Sequence, residues 1–344
     1  MNSGDMSLTA TPDEFHEIAS SLTGMGLIGE GEQFALGRLS GGVSCDVYRV
    51  DAKHRPPMVV KRALPKLRVA ADWRAPPERS AAEIAWISLV AAIDAKWVPK
   101  ILGEDRAHHL FAMEFLAPDK YPIWKAELAA GRIDPEFARK TGGALVRIHA
   151  ATAGRAEIAA AFANDALFHS LRLDPYLLFT ADRHPDLAPV IREVADGVAK
   201  ARIALMQGDI SPKNILCGPD GPVFLDAETA CYGDPAFDLA FCLNHFLLKS
   251  VWHPEWKEDY AGSFRAMSEA YLSGVRWEAA GSLDRRTARL LPMLFLARVD
   301  GKSPVEYLTR DNDKSFVRTQ ARALIENPAM SLEELGQRYF AGSR

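Results

Sequence analysis

The 344-residue chain is 48% hydrophobic and 25% charged, with a formal net charge of −4. That is a globular composition, long enough for one large or two modest domains, and it lacks the basic footprint of a nucleic-acid binder. No apolar run reaches the roughly 18 residues of a membrane helix, and the start MNSGDMSLTATPDEFHE has no signal character. Cys45, Cys217, Cys231 and Cys242 are widely spaced with no C-x-x-C, so reduced thiols and a cytoplasmic setting are expected.

The first element is a helix in TPDEFHEIASSL. Thr11 is placed to cap it, Pro12 takes its first position, and acids fill its first turn. FALGRLSGGVSCDVYRVDA and PPMVVKRAL read as strands, rich in Val and aromatic residues and broken by Gly41-Gly42. ERSAAEIAWISLVAAI has helical spacing, and HHLFAMEFL reads as another strand. After Leu116 the pattern changes to amphipathic helices separated by polar breaks. The exception is a hairpin in QGDISPKNILCGPDGPVFLD. The expected division is a β-rich residues 1–116 and a mainly helical 117–344, with the seam near EFLAPD at 114–119: an α+β chain of two parts.

The hairpin carries the chemistry. NILC and PVFLD are short apolar strands around the turn-forming GPDG. Folding one strand on the other brings Asp226 back beside Asp209 and Asn214. Two carboxylates and an amide converge there, and oxygen donors of this kind suit Mg²⁺. Glu228, two residues on, can face the same side as Asp226.

D-x-x-x-x-N, a hairpin and a second Asp resemble the catalytic core of kinases. The form found here, with D-x-E at Asp226 and GDPAFDLA after it, resembles the aminoglycoside phosphotransferase and choline kinase-like family, and its 5-methylthioribose kinase-like members in particular. Gln207 stands where that family usually has His. The resemblance covers about residues 35–245 and implies a bilobal protein kinase-like fold, ATP and Mg²⁺ as cofactors, and a small-molecule hydroxyl as acceptor. It implies that Asp209 orients that hydroxyl and that Asn214, Asp226 and Glu228 hold metal.

In the first part, the same resemblance makes Lys61 the phosphate-contacting lysine, with Glu83 as its partner and Glu78 the alternative. Gly41 and Gly42, with Ser44, would let backbone amides approach phosphate, and Glu114 and Leu116 would flank the adenine edge. Asp238 reads as a structural anchor. An acceptor such as a methylthioribose-like sugar competes with an aminoglycoside, another antibiotic or an amino alcohol. A non-catalytic nucleotide-binding protein is the remaining alternative, and no nucleic-acid or membrane partner is expected.

Three other features read as bystanders. Gly301-Lys302-Ser303 is no phosphate loop, because Leu296 stands where G-x-x-x-x-G-K-[ST] needs Gly. His108 and His109, on a strand, would point to opposite faces. His149 and His245 read as satisfied core histidines.

Overall fold

The structure is a computed structural model that describes residues 11–39, 45–64 and 76–342. The expected phosphate cover at Gly41, Gly42 and Ser44 lies outside the described residues. The chain divides into two compact units, Met1–Asp119 and Lys120–Arg344.

The first unit opens on α1 (Pro12–Gly24). Thr11 caps it as expected: its hydroxyl accepts the Glu14 N–H, and the Glu14 carboxylate accepts the Thr11 N–H in return. A five-stranded antiparallel sheet follows, formed by β1 (Phe34–Arg38), β2 (Cys45–Ala52), β3 (Met58–Ala63), β4 (Ile101–Asp105) and β5 (Leu110–Glu114), in the spatial order β1-β2-β3-β5-β4. Helix α2 (Arg79–Ile93) connects β3 towards β4.

Strand alternation sorts β3 onto two faces. Met58 and Val60 join Ile18, Leu22, Tyr48 and Val50 in the core beneath α1, and Arg62 on that face pairs with Glu14 and Glu17 of the same helix. Val59 and Lys61 take the opposite face. His108 and His109 correct the sequence reading. They form a tight turn before β5, His108 in a 3-10 helix and His109 left-handed at φ 50°, because Asp105 caps that turn by accepting the Ala107 and His108 amides.

The second unit begins with α3 (Trp124–Ala129), α4 (Pro135–Thr152), α5 (Ala156–Ala161) and α6 (Asp165–Phe168). The chain then runs through a π-helical stretch, His169–Leu178, into α7 (Phe179–Arg183) and α8 (Ala188–Lys200). The small strands are β6 (Ala204–Met206), β7 (Ile215–Gly218), β8 (Gly221–Phe224) and β9 (Cys231–Gly233). Strands β7 and β8 are the expected hairpin, turning at Pro219-Asp220. The antiparallel pair β6–β9 escaped the sequence reading, because three-residue strands carry too little alternation to register.

Then come α9 (Ala236–Trp252), α10 (Lys257–Gly274), α11 (Ala280–Asp300), α12 (Asp311–Glu326) and α13 (Leu332–Ala341). Helix α9 is buried on every side from Ala236 to Val251, which marks it as the axis of this unit. It packs on α11, while α4 runs against α10. A Cβ on Gly142 would lie 2.4 Å from the Met267 carbonyl oxygen, so glycine permits the close α4–α10 contact. Among the described residues, no helix is long and apolar enough to cross a membrane.

Candidate active site

The Asp209 loop hangs between β6 and the hairpin, and its shape is imposed from below. Asp238, in the first turn of α9 and fully buried, accepts the Gln207 N–H at 2.7 Å and the Gly208 N–H at 2.8 Å. His149 reaches the same carboxylate at 3.3 Å, with Tyr271 at its other ring nitrogen at 2.6 Å. Both ring nitrogens therefore have partners, so His149 is the satisfied core histidine expected and Asp238 the expected anchor. Gly208 turns the chain at φ 80°, where any Cβ would strike Thr229 Oγ1 at 2.7 Å. Only glycine fits.

Gln207 then links the two acidic loops. Its Oε1 accepts the Asp209 N–H at 2.8 Å, and its Nε2 donates to the Leu225 carbonyl at 2.6 Å and, more weakly, to the Asp226 carbonyl at 3.4 Å. A second tie runs from the Leu225 N–H to the Asn214 carbonyl at 2.8 Å. The hairpin therefore does return Asp226 to the Asp209 loop. Asp226 itself is left-handed at φ 62°, a costly state for a non-glycine residue that these ties maintain.

At the centre, Asp209 Oδ2 is gripped three ways: Asn214 Nδ2 donates at 2.9 Å, Arg172 lies at 3.0 Å and Lys213 at 3.1 Å. Asp209 and Asn214 are both buried. Asp209 Oδ1 accepts no hydrogen bond from the described residues. The Asp209 charge holds the Lys213 ammonium above its ordinary range, against burial and with help from Asp226. Burial opposes the Arg172 charge, but Asp209, Glu228 and Asp226 overcome it and leave the guanidinium more firmly protonated than usual. Asp226 and Glu228 thus belong to the same electrostatic neighbourhood as Asp209.

Asn214, Asp226 and Glu228 supply one amide oxygen and two carboxylates. Among the described residues, no three His, Cys, Asp or Glu side chains gather into a ready-made metal cage. That donor set fits Mg²⁺, which takes one or two carboxylates and completes its shell with phosphate and water.

Two cations here were invisible in the sequence reading. Lys213 sits inside the motif, beside Asn214, where no rule singled it out. Arg172 is 37 positions before Asp209 in a stretch, SLRLDPYLL, that carries no motif. Its π-helical winding and its bond to the Gly208 carbonyl exist only after folding.

In the first unit, Lys61 and Glu83 form a buried ion pair, Nζ lying 2.8 Å from each carboxylate oxygen. β3 points Lys61 towards α2, and α2 carries Glu83 on its buried side. Glu78, the alternative, is the residue at which α2 starts. The backbone of Glu114 closes the end of β5, donating to the Lys100 carbonyl at 3.0 Å, while its carboxylate takes the Lys100 N–H at 2.8 Å. Leu116 lies just beyond, half-buried.

Comparison with known proteins bears on the fold and the family. A methylthioribose kinase of Escherichia coli is 26% identical over 258 residues, which cover 65% of this chain and 60% of that enzyme's length. A choline/ethanolamine kinase family protein of Mesorhizobium loti superposes with a TM-score of 0.51 at 16% identity, over 95% of this chain and 99% of that one. An amicoumacin kinase in complex with AMP-PNP, Ca²⁺ and Ami gives 0.57 at 11% identity, over 94% and 95%. These likenesses show a protein kinase-like fold. The phosphotransferase enzyme family (APH) model matches residues 36–283, and the chain belongs to that family.

Proposed function

We propose that the chain is an ATP-dependent kinase that transfers the γ-phosphoryl group to a hydroxyl of a small molecule. The observation that supports it best is the Asp209 carboxylate. Oδ2 is held by Arg172, Lys213 and Asn214, while Oδ1 is left to receive a hydroxyl. Held this way, Asp209 orients the acceptor oxygen and takes its proton as the new P–O bond forms and ADP leaves. The loose transition state of phosphoryl transfer asks chiefly for positioning and charge neutralisation.

Asn214, Asp226 and Glu228 would hold Mg²⁺, which when bound neutralises phosphate charge. Lys61, fixed by Glu83, would contact the α and β phosphates. The backbone at Glu114 and Leu116 would meet the adenine edge, and Gly41, Gly42 and Ser44 would cover the phosphates. The nucleotide analogue and divalent ion in the amicoumacin kinase complex favour this pair of cofactors. Cys45, Cys217, Cys231 and Cys242 form no disulfide among the described residues, which suits a cytoplasmic enzyme.

The similarity to methylthioribose kinases puts a methylthioribose-like sugar among the first acceptors to try, with aminoglycosides, other antibiotics and amino alcohols as alternatives. A coupled ADP-release assay with Mg-ATP across these classes tests the proposal. Asp209→Ala abolishes turnover while Mg-ATP still binds, and Asp226→Ala loses the metal-dependent part of nucleotide binding. Full activity of either variant overturns the assignment. Binding of Mg-ATP without turnover of any acceptor would favour a non-catalytic nucleotide-binding protein.

A further inference from the structure

Helix α9 carries a stripe that the chemistry above does not use. Phe241, His245, Lys249 and Trp252 follow one another at helical spacing on one face. The upper end of the stripe meets the Asp209 site: the Arg172 guanidinium lies 5.9 Å from the Phe241 ring, and the Tyr176 ring lies 5.3 Å from it. Arg298, from α11, donates to the Tyr176 hydroxyl at 3.2 Å and stacks over its ring at 5.5 Å.

The lower end is a box. Lys249 is 1% exposed, and its ammonium has no hydrogen-bond partner. It rests 5.2 Å from the Trp252 ring and 4.9 Å from the Tyr307 ring, and those rings stack on each other at 4.7 Å. Ring faces attract a cation but cannot accept its three N–H bonds. The Tyr307 hydroxyl, buried in the same box, also lacks a partner, as does Arg298 Nε. Buried donors left open in this way call for an explanation.

The surroundings are electropositive. Nearby carboxylates are already engaged: Asp209 by Arg172 and Lys213, and Glu306 by Lys125. Lys249 and Arg298 form no ion pair among the described residues. Burial, then Arg298, Lys249, Lys213 and Lys125, push the His245 imidazole well below its ordinary range, so it stands neutral among cations. Burial alone would raise the Tyr176 phenol, but Arg298 and Arg172 outweigh it and bring the phenol below its ordinary range.

We propose that the acceptor is an anionic hydroxy compound, its carboxylate or phosphate held by Lys249 and Arg298 over the Trp252 and Tyr307 rings while its hydroxyl meets Asp209. This rests on the kinase function above and, on the charge of the box, puts an anionic acceptor ahead of the neutral sugars and cationic compounds suggested there by similarity alone. A cationic aminoglycoside or amino alcohol would meet like charge there, and a neutral sugar could accept from the open donors but would leave their positive charge uncompensated. Phe241 and Lys249 are eight residues apart on α9, about 12 Å along the helix, so the anionic group and the reacting hydroxyl sit several bonds apart.

The test uses the full chain and matched acceptors. With Mg-ATP, 6-hydroxyhexanoate is compared with its methyl ester and with 6-aminohexan-1-ol, and glucose 6-phosphate with glucose. At least one anionic member should exceed its neutral and cationic counterparts by about tenfold or more in kcat/KM, a margin of about 1.4 kcal/mol. Lys249→Met and Arg298→Met should collapse that ratio towards one. Equal or better use of the neutral or cationic members overturns the proposal, as does a ratio that survives both substitutions.

A direct binding arm keeps the two questions apart. 6-Hydroxyhexanoate and inorganic phosphate are titrated calorimetrically against the wild type, Asp209→Asn, Lys249→Met and Arg298→Met. Anion binding lost in Lys249→Met and Arg298→Met but retained in Asp209→Asn upholds the anion site even if no acceptor turns over, in which case the kinase function falls. Turnover with anion binding indifferent to Lys249 and Arg298 upholds the kinase and overturns the anion site.

Discussion

Gln207 replaces the histidine usual in related catalytic loops, and removing its side chain tests whether it organises the site or merely fills space. Gln207→Ala removes the partner of the buried Asp209 N–H and of the part-buried Leu225 carbonyl, now held at 2.8 and 2.6 Å. At about 1–3 kcal/mol for a buried orphaned group, and towards the lower end for the part-buried carbonyl, the loss is about 2–4 kcal/mol. A unit of this size loses about 2–4 °C of Tm per kcal/mol, so the melting temperature falls by about 4 °C at the least. The same change frees Asp209 from the Asp226 loop, and ADP release falls by about tenfold or more, the kinetic equivalent of about 1.4 kcal/mol of lost alignment. Gln207→Leu keeps the volume and shows the same deficits, which separates hydrogen bonding from cavity formation. Gln207→His, with one ring nitrogen to accept and one to donate, restores most of both. Differential scanning calorimetry and the coupled ADP assay read the series. A Gln207→Leu protein with wild-type Tm and wild-type turnover would refute the bridging role.

Three further outcomes are expected. Glu83→Ala removes the buried carboxylate that Lys61 pairs with and destabilises the first unit by up to about 3–5 kcal/mol, with weaker Mg-ATP binding by calorimetry; unchanged melting and binding would contradict it. Asp238→Ala removes the acceptor for two loop amides and His149, lowering Tm by more than Gln207→Ala, and a smaller loss would show that water replaces the carboxylate. Lys249→Met raises Tm at neutral pH while impairing acceptor use. Burial, reinforced by Lys125, lowers the Lys249 ammonium to about 8 from an ordinary 10.5. Below pH 8 both folded and unfolded states are protonated and the folded state carries the full cost of the buried charge. Between pH 8 and 10.5 the unfolded state binds more protons, so wild-type stability rises with pH. The gain from Lys249→Met is therefore at most about 3 kcal/mol near pH 7 and shrinks by pH 10; a gain that does not shrink would show that packing, not charge, is responsible.

Much of the site was legible because its parts are local. Asp209, Asn214 and Asp226 span eighteen residues around a two-residue turn, and the apolar strands on either side announce how that stretch must fold. Lys61 was legible for a related reason: a lysine in the apolar run MVVKRA is worth explaining, and period-two alternation assigns it a face. Glu83 was preferred to Glu78 because it follows Lys61 by a helix-length gap, and with the helix in place Lys61 pairs with it. Arg172 was not legible at all. A single arginine in an amphipathic stretch carries no spacing signal, and its meeting with Asp209 depends on a π-helical segment that local propensity does not announce.

By itself the sequence determined the α+β division, the capped first helix, the hairpin after Asp209 and the phosphotransferase-family pattern, all of which rest on short-range patterns of period, turn chemistry and spacing. Tertiary structure decided what surrounds that motif: the Asp238–His149–Tyr271 support, the Gln207 bridge, the Arg172 and Lys213 grip on Asp209, and the cation-lined stripe of α9. Those features join residues up to 122 positions apart, and their worth comes from burial. A buried polar group must find its partner wherever the fold delivers one, and no local pattern records where that will be.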